Sequence, residues 1–314
     1  MLRFIGRRVL ETIPVLFLVA TITFFMMKAV PGGPLDTEKN LPVEIKSQIE
    51  AFYGLDLPLW KQYTNYMASL LQGDLGPSFK HANRSVNELI AAALPVSLEL
   101  GGLALVFALV VGITLGIFAA VRQNTWLDYL ASSSAMVGIC MPTFVMGPLL
   151  VLVFALHLEQ FNASGWDFAR DRVLPALTLG LVYAGYIARL TRGGMLEVLS
   201  QDFIRTARAK GASEARVIFR HAVRGGLLPV VSFLGPAVAG ILTGSFVIET
   251  IFNIPGLGKH FVTSVFNRDA TLTIGTALFY ATLIVVLNLV VDIVQMWINP
   301  KQRATLTCCE RLLP

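Results

Sequence analysis

Charge is scarce in this sequence. Of its 314 residues only 14% are Asp, Glu, Lys or Arg, against roughly 25% in an average soluble domain, and that shortage disfavours a water-soluble globule. Cysteine is scarcer still. Cys140, Cys308 and Cys309 are too few for a disulfide-rich secreted fold and lack the C-x-x-C spacing of a zinc or thiol–disulfide site. The histidines His81, His157, His221 and His260 stand apart from one another. With no H-E-x-x-H and no G-x-S-x-G, metalloprotease and serine hydrolase readings drop out, and no catalytic residue or metal ligand is assigned. One segment, Asn253-Ile254-Pro255-Gly256-Leu257-Gly258-Lys259-His260, has the outline of a phosphate loop. It carries asparagine where the first glycine is required and histidine where a hydroxyl must hold magnesium, so it reads as a turn closing a helix.

What is abundant is apolar. Hydrophobic residues make up 55% of the chain and mean hydropathy is +0.67, which excludes intrinsic disorder and points to several membrane spans. Charge-poor apolar stretches run at about 10–30, 94–121, 130–156, 173–190, 227–251 and 273–298, each near the roughly 20 residues that cross a bilayer as helix. The fold class is therefore an all-α membrane protein with six transmembrane helices. Arg3, Arg7 and Arg8 precede the first stretch as in a signal peptide, but Val30-Pro31-Gly32-Gly33-Pro34 offers no A-x-A-like cleavage site, so a retained anchor is expected. Gly112, Gly116, Pro142, Pro148, Gly235 and Pro236 fall inside the stretches, where they permit close helix approach and kinks.

Six spans place both termini on one side. The segments 1–9, 122–129, 189–226 and 299–314 hold Arg3, Arg7, Arg8, Arg122, Arg189, Arg192, Arg205, Arg208, Lys210, Arg216, Arg220, Arg224, Lys301, Arg303 and Arg311. The opposite short segments, 157–172 and 252–272, hold only Arg170, Arg172, Lys259 and Arg268. The positive-inside rule then puts both termini in the cytoplasm. The net charge of +5 follows from topology, and nucleic-acid binding is set aside. The segment 31–93 becomes an external insert, with two short amphipathic helices expected over 42–53 and 58–71, each introduced by a proline (Pro42, Pro58). They cap the bundle or touch a ligand.

Two carboxylates lie within or at the ends of spans, Glu249 near the outer end of the fifth and Asp292 within the sixth. Charge at the bilayer centre costs at least about 2.5–3.5 kcal/mol. Such groups face a water-filled path or gate, or else make a packing hydrogen bond or snorkel to the interface. Glu99, near the outer end of the second span, is treated as interfacial.

The strongest local signal is the inside segment 191–226. It reads Asp202-Phe203-Ile204-Arg205-Thr206-Ala207-Arg208-Ala209-Lys210-Gly211-Ala212-Ser213-Glu214. Ala207 and Ala209 favour helix, Gly211 suits the left-handed position that ends one, and Ser213-Glu214 suits the next start. The second helix carries Ala215, Val217, Ile218, His221 and Ala222 on one side, with Arg216 and Arg220 opposite. Two readings stand at this point: a helix–glycine–helix hairpin projecting from the membrane, and an interfacial helix lying on anionic lipid.

Arg205-Thr206-Ala207-Arg208-Ala209-Lys210-Gly211, with Arg220-His221-Ala222 and Leu227-Leu228-Pro229, resembles the EAA loop of ABC-importer permeases of the peptide and nickel transporter family. Arg7-Arg8-Val9-Leu10 with Ile13-Pro14 and Pro31-Gly32, Tyr53-Gly54-Leu55-Asp56, Gly73-Asp74-Leu75-Gly76, and Val247-Ile248-Glu249-Thr250-Ile251-Phe252 with Pro255-Gly256-Leu257-Gly258 extend the resemblance in order to about residue 303. Phe25-Met26-Met27 and Gly73 to Lys80 look most like the oligopeptide branch of that family.

The resemblance implies a type I importer permease that is not itself an enzyme and forms half of an oligopeptide pathway in the bacterial inner membrane. It implies a sister permease subunit, two cytoplasmic ATP-binding subunits that hold the ATP and magnesium, and an external peptide-binding protein. This chain would carry no cofactor. Arg205, Thr206, Ala207, Arg208, Lys210, Gly211 and His221 would then couple it to an ATPase. The implied division is 1–30 (first span), 31–93 (external insert), 94–303 (five-span permease core with the coupling loop 191–226) and a cytoplasmic tail 304–314. Gly225, Asn299 and His260 depart from the family pattern, and the tail with Cys308-Cys309 matches nothing in it. A dipeptide or nickel cargo is the alternative within the family. An ion-coupled secondary transporter is the alternative outside it, and would favour midplane carboxylates and two related halves.

Overall fold

The structure is a computed structural model that describes residues 2–29, 47–48, 51, 54–81 and 83–298. Its helices are α1 (Leu2–Ala29), α2 (Leu59–Leu71), α3 (Val86–Val121), α4 (Trp126–Cys140), α5 (Thr143–His157), α6 (Val173–Leu199), α7 (Asp202–Ala209), α8 (214–226), α9 (Leu228–Ile251), α10 (Leu257–Phe266) and α11 (Ala270–Ile298). Among the described residues, five helices are long and apolar enough to cross a membrane singly: α1, α3, α6 with the short turn before it, α9 and α11. The chain forms two compact units, one from the described parts of 1–97 with 255–285, the other from 98–254 with the described parts of 286–314.

In the first unit α2 is docked on α1. Tyr63 Oη and Thr21 Oγ1 share a 2.9 Å hydrogen bond, and the Lys28 ammonium donates to Gln62 Oε1 at 2.5 Å. Phe24 and Phe25 meet the Tyr63 ring with centroids 5.5 and 5.4 Å away. Pro58 stands directly ahead of the first residue of α2, as expected; of the helix expected over 42–53 only residues 47, 48 and 51 are described, and these three are helical. The Gly73-Asp74-Leu75-Gly76 motif is a built turn in which both glycines have positive φ, 77° and 86°. The Asp74 carboxylate accepts the Gly76 N–H at 2.9 Å, and Asn87 bonds both Leu75 N–H and Gly73 C=O. Beyond it, the Ser78 hydroxyl donates to buried Asp269, which also caps α11 through the Leu272 N–H.

In the second unit α6 is the central rod, packed on α4, α5, α9 and the end of α8. Glycine makes the approaches possible. A Cβ on Gly116 of α3 would lie 2.5 Å from the Thr191 side chain, one on Gly112 2.7 Å from Ala184 O, and one on Gly185 of α6 2.5 Å from Ala135 O of α4. Small residues at such crossings are how membrane helices gain packing when lipid is as apolar as they are. At the far end Arg172 Nε donates to Glu99 at 2.7 Å, and the Trp166 indole N–H reaches the same carboxylate. Glu99 is thus paired rather than merely interfacial.

The third span departs from the expected single helix over 130–156, kinked at most by its prolines. It is two helices, α4 and α5, meeting at 107°. Met141 is extended, with φ −82° and ψ 119°, because Pro142 brings no N–H and its ring disfavours helix at the residue before it. The pair still crosses. Asp128 at the start of α4 is bonded to Arg192 of α6, whereas Gly147 of α5 abuts Thr178 of α6 together with Ile251 and Phe252. Residues 178 and 192 are about 20 Å apart along a helix. The loop that follows stays at the Thr178 end, where Gly165 N–H bonds Phe252 C=O at 3.0 Å. Counted as one broken span, the pair brings the number of crossings to the six expected.

Candidate functional site

The hairpin between α6 and α9 is set by its backbone. α7 follows the extended Gln201, with Asp202 in its first turn, a placement that favours the helix dipole. At its end Gly211 takes φ +79°. Its N–H bonds Arg208 C=O at 2.9 Å and the Ala212 N–H bonds Ala207 C=O at 3.2 Å, the paired closure in which a left-handed residue satisfies a helix's last carbonyls. Ser213 then stands at the start of α8 as expected, although its side chain makes no capping bond. α8 is not a plain α-helix: 217–222 winds as a π turn, whose extra residue re-aims the side chains beyond it.

One face of this hairpin is fixed to the bundle. Ile204, Val217 and Ala222 are fully buried against Met195 and Val198 of α6 and Ala120 of α3, with Ala207, Ala212 and Ile218 packed around them. Gly194 and Gly226 meet backbone to backbone. The other face is open. Arg205, Thr206, Arg208, Lys210, Gly211, Arg216 and Arg220 are exposed, and His221 is half-buried. Phe203 is 48% and Phe219 70% exposed, two aromatics that the charge pattern did not single out.

Arg208 and Glu214 tie the two arms through Nε–Oε1 at 2.9 Å and Nη2–Oε2 at 3.3 Å. They line an open cleft of about 320 Å³ that also reaches Ala120, Leu199 and Ile218. Arg205 makes only a loose 3.6 Å approach to Asp202. Of the expected coupling residues, Ala207 packs against the buried cluster and so helps seat the hairpin on the bundle.

Glu249 is fully buried near the end of α9. The side chain of Asp292, on α11, lies outside the described residues. The segment 253–260 closes α9 with a turn and then opens α10 at Leu257: Asn253 has φ 55°, its N–H bonds Thr250 C=O, and the Ile254 N–H bonds Glu249 C=O.

Pairing of Asp128 with Arg192 escaped the sequence reading. Asp128 Oδ1 and Oδ2 receive Arg192 Nε at 2.7 Å and Nη2 at 2.8 Å, and the carboxylate also accepts from the Asn124 N–H and the Ser132 hydroxyl. The available signal was an aspartate just before one apolar stretch and an arginine just past the end of another.

Residues 112–304 match the family described as binding-protein-dependent transport system inner membrane component, and residues 1–101 match its N-terminal companion. The chain is 48% identical to the oligopeptide transport system permease protein OppB of Haemophilus influenzae, covering 96% of this chain and 100% of that one. It is 47% identical to OppB of Salmonella typhimurium with the same coverage. The dipeptide transport system permease protein DppB of Bacillus subtilis is 42% identical over 96% of this chain and 98% of its own length. Among solved structures, the MetNI methionine ABC transporter in an inward-facing conformation superposes with a TM-score of 0.59 at 16% identity, covering 67% of this chain and 96% of that chain. With six crossings, a glycine-turned hairpin on the central rod and these likenesses along nearly its whole length, the chain belongs to the inner-membrane permease family of binding-protein-dependent (ABC) transport systems.

Proposed function

We propose that this chain is one of the two pathway subunits of an ATP-driven oligopeptide importer, inserted with both termini and the hairpin on the cytoplasmic side. The observation that carries the reading is the division of the hairpin into two faces. Ile204, Val217 and Ala222 are buried in the bundle, while Phe203, Arg205, Lys210, Phe219 and Arg220 face outward. Exposed aromatics and arginines are the side chains that anchor protein interfaces, and here they would seat in a groove of an ATP-binding subunit. ATP and magnesium would be held there, and a sister permease and an external peptide-binding protein would complete the assembly.

Oligopeptide cargo is favoured over dipeptide because the OppB relatives are 47–48% identical and DppB of Bacillus subtilis 42%. We assign Glu249 and Asp292 to the pathway or its gate, since carboxylates in apolar helices are held for such roles.

Cross-linking tests the assignment. Cysteine at Ala209, which is exposed, should form a cross-link to an ATP-binding subunit in the transport-competent complex. Arg205→Glu should weaken that association by about tenfold, as loss of a complementary interface charge does. If no ATPase cross-link forms and Arg205→Glu lowers only affinity for anionic vesicles, the hairpin is a lipid-surface element and the assignment fails.

A further inference from the structure

The Asp128–Arg192 pair lies between the hairpin and the broken span. Asp128 is nearly inaccessible, its side chain 3% exposed against 32% for Arg192, and its two oxygens accept four hydrogen bonds. Among the described residues, the two bonds to Arg192 are the only side-chain hydrogen bonds from α4 to another helix. Elsewhere α4 and α6 meet through close backbone packing, with Gly138 against the Leu181 carbonyl and Gly185 against the Ala135 carbonyl. Smooth contacts of that kind resist separation but not sliding. A bidentate guanidinium–carboxylate pair fixes register as well as distance.

Arg192 stands one helical turn before Met195, and Met195 is buried under the hairpin's Ile204, Val217 and Ala222. A force on the hairpin therefore enters α6 at Met195 and meets the tie to α4 within a turn. α4 continues to the break at Met141, and α5 beyond it reaches Thr178, Ile251 and Phe252 at the other end of the bundle.

We propose that Asp128 and Arg192 are positioning residues that lock α4 to α6, so that displacement of the coupling hairpin drives α4 and, through the Met141–Pro142 break, α5. The proposal rests on the coupling role assigned above. Without the lock, α6 follows the hairpin while α4 slips, and ATP turnover no longer moves the far end of the third span.

The test uses the complete reconstituted transporter with tri- to pentapeptides, measuring peptide imported per ATP hydrolysed. Asp128→Asn keeps the shape and removes the charge; Arg192→Lys keeps the charge and removes the fork. Both should retain the Ala209→Cys cross-link and ATP turnover within about twofold, yet lower the import-to-hydrolysis ratio by about tenfold, a common size for a coupling between sites. Asp128→Glu should restore part of the ratio. Loss of import and hydrolysis in equal proportion, with the ratio unchanged in whichever variant assembles, would overturn the proposal, as would a normal ratio in both. Failure of the cross-link in the unmutated transporter would instead refute the coupling role itself.

Discussion

Arg208 and Glu214 close a two-point ion pair across Gly211, Nε–Oε1 at 2.9 Å and Nη2–Oε2 at 3.3 Å, so the two arms of the hairpin are joined beside the turn that separates them. Both side chains are substantially exposed, and such pairs are worth only about 0–1 kcal/mol. The turn itself must hold the angle. Gly211 has φ +79° with nothing within 4 Å of where a Cβ would be, so a substitution there meets no clash but strains the backbone by roughly 1–2 kcal/mol. Gly211→Leu should leave membrane insertion intact and abolish peptide uptake, while Gly211→Asn, which tolerates the left-handed region, should keep most of it. Equal uptake in the leucine and asparagine variants would contradict a backbone role.

Gly116 should behave differently. Its missing Cβ is replaced by Thr191 and the Ala188 carbonyl, 2.5 and 2.6 Å from where it would stand. Overpacking costs about 1–3 kcal/mol, so Gly116→Val should lower the detergent-solubilised chain's thermal midpoint by several degrees, about 2–4 °C per kcal/mol at this size. Gly193 on α6 has nothing within 4 Å, and Gly193→Ala should leave the midpoint in place.

His260 packs edge-on to His81, ring centroids 6.0 Å apart. Burial first, and then the nearby His81, Lys259 and Arg84, hold its imidazole below the ordinary value of 6.5. Once the chain unfolds, His260 takes up its proton near 6.5; in the folded unit it does so only at lower pH. The unfolded state therefore binds more protons as pH falls below 6.5, and stability drops until the folded group also titrates. Limited proteolysis of the 54–97 segment should quicken between pH 7 and 5. His260→Gln should flatten that dependence; an unchanged profile in the variant would show that another group is responsible.

Orientation is open to direct labelling. Asn65 on α2 and Ser213 on the hairpin are both exposed, so single cysteines at either site should react freely once the membrane is permeabilised. In intact cells an impermeant maleimide should modify Asn65→Cys and spare Ser213→Cys. Labelling of Ser213→Cys from outside would reverse the topology.

Much of this fold is written locally. A run of about 20 apolar residues can satisfy its backbone in lipid only as a helix, so five of the six spans follow from composition. Gly211 ends α7 because glycine alone enters the left-handed region without penalty, and α8 begins directly beyond it. Pro142 breaks the third span for an equally local reason, although its place inside an apolar stretch disguised a corner as a kink.

What the sequence by itself determined, then, is the helical, membrane-spanning character of the chain, the lopsided placement of its arginines, and the position of the hairpin. The tertiary structure decided which helices touch. Nothing in a linear reading pairs Asp128 with Arg192, 64 residues apart, packs Ala207 against the buried cluster, or shows that α5 carries the broken span across to Thr178. Those outcomes depend on which side chains fit when distant helices approach, since burying a carboxylate demands a partner and close crossings demand two surfaces without bulk.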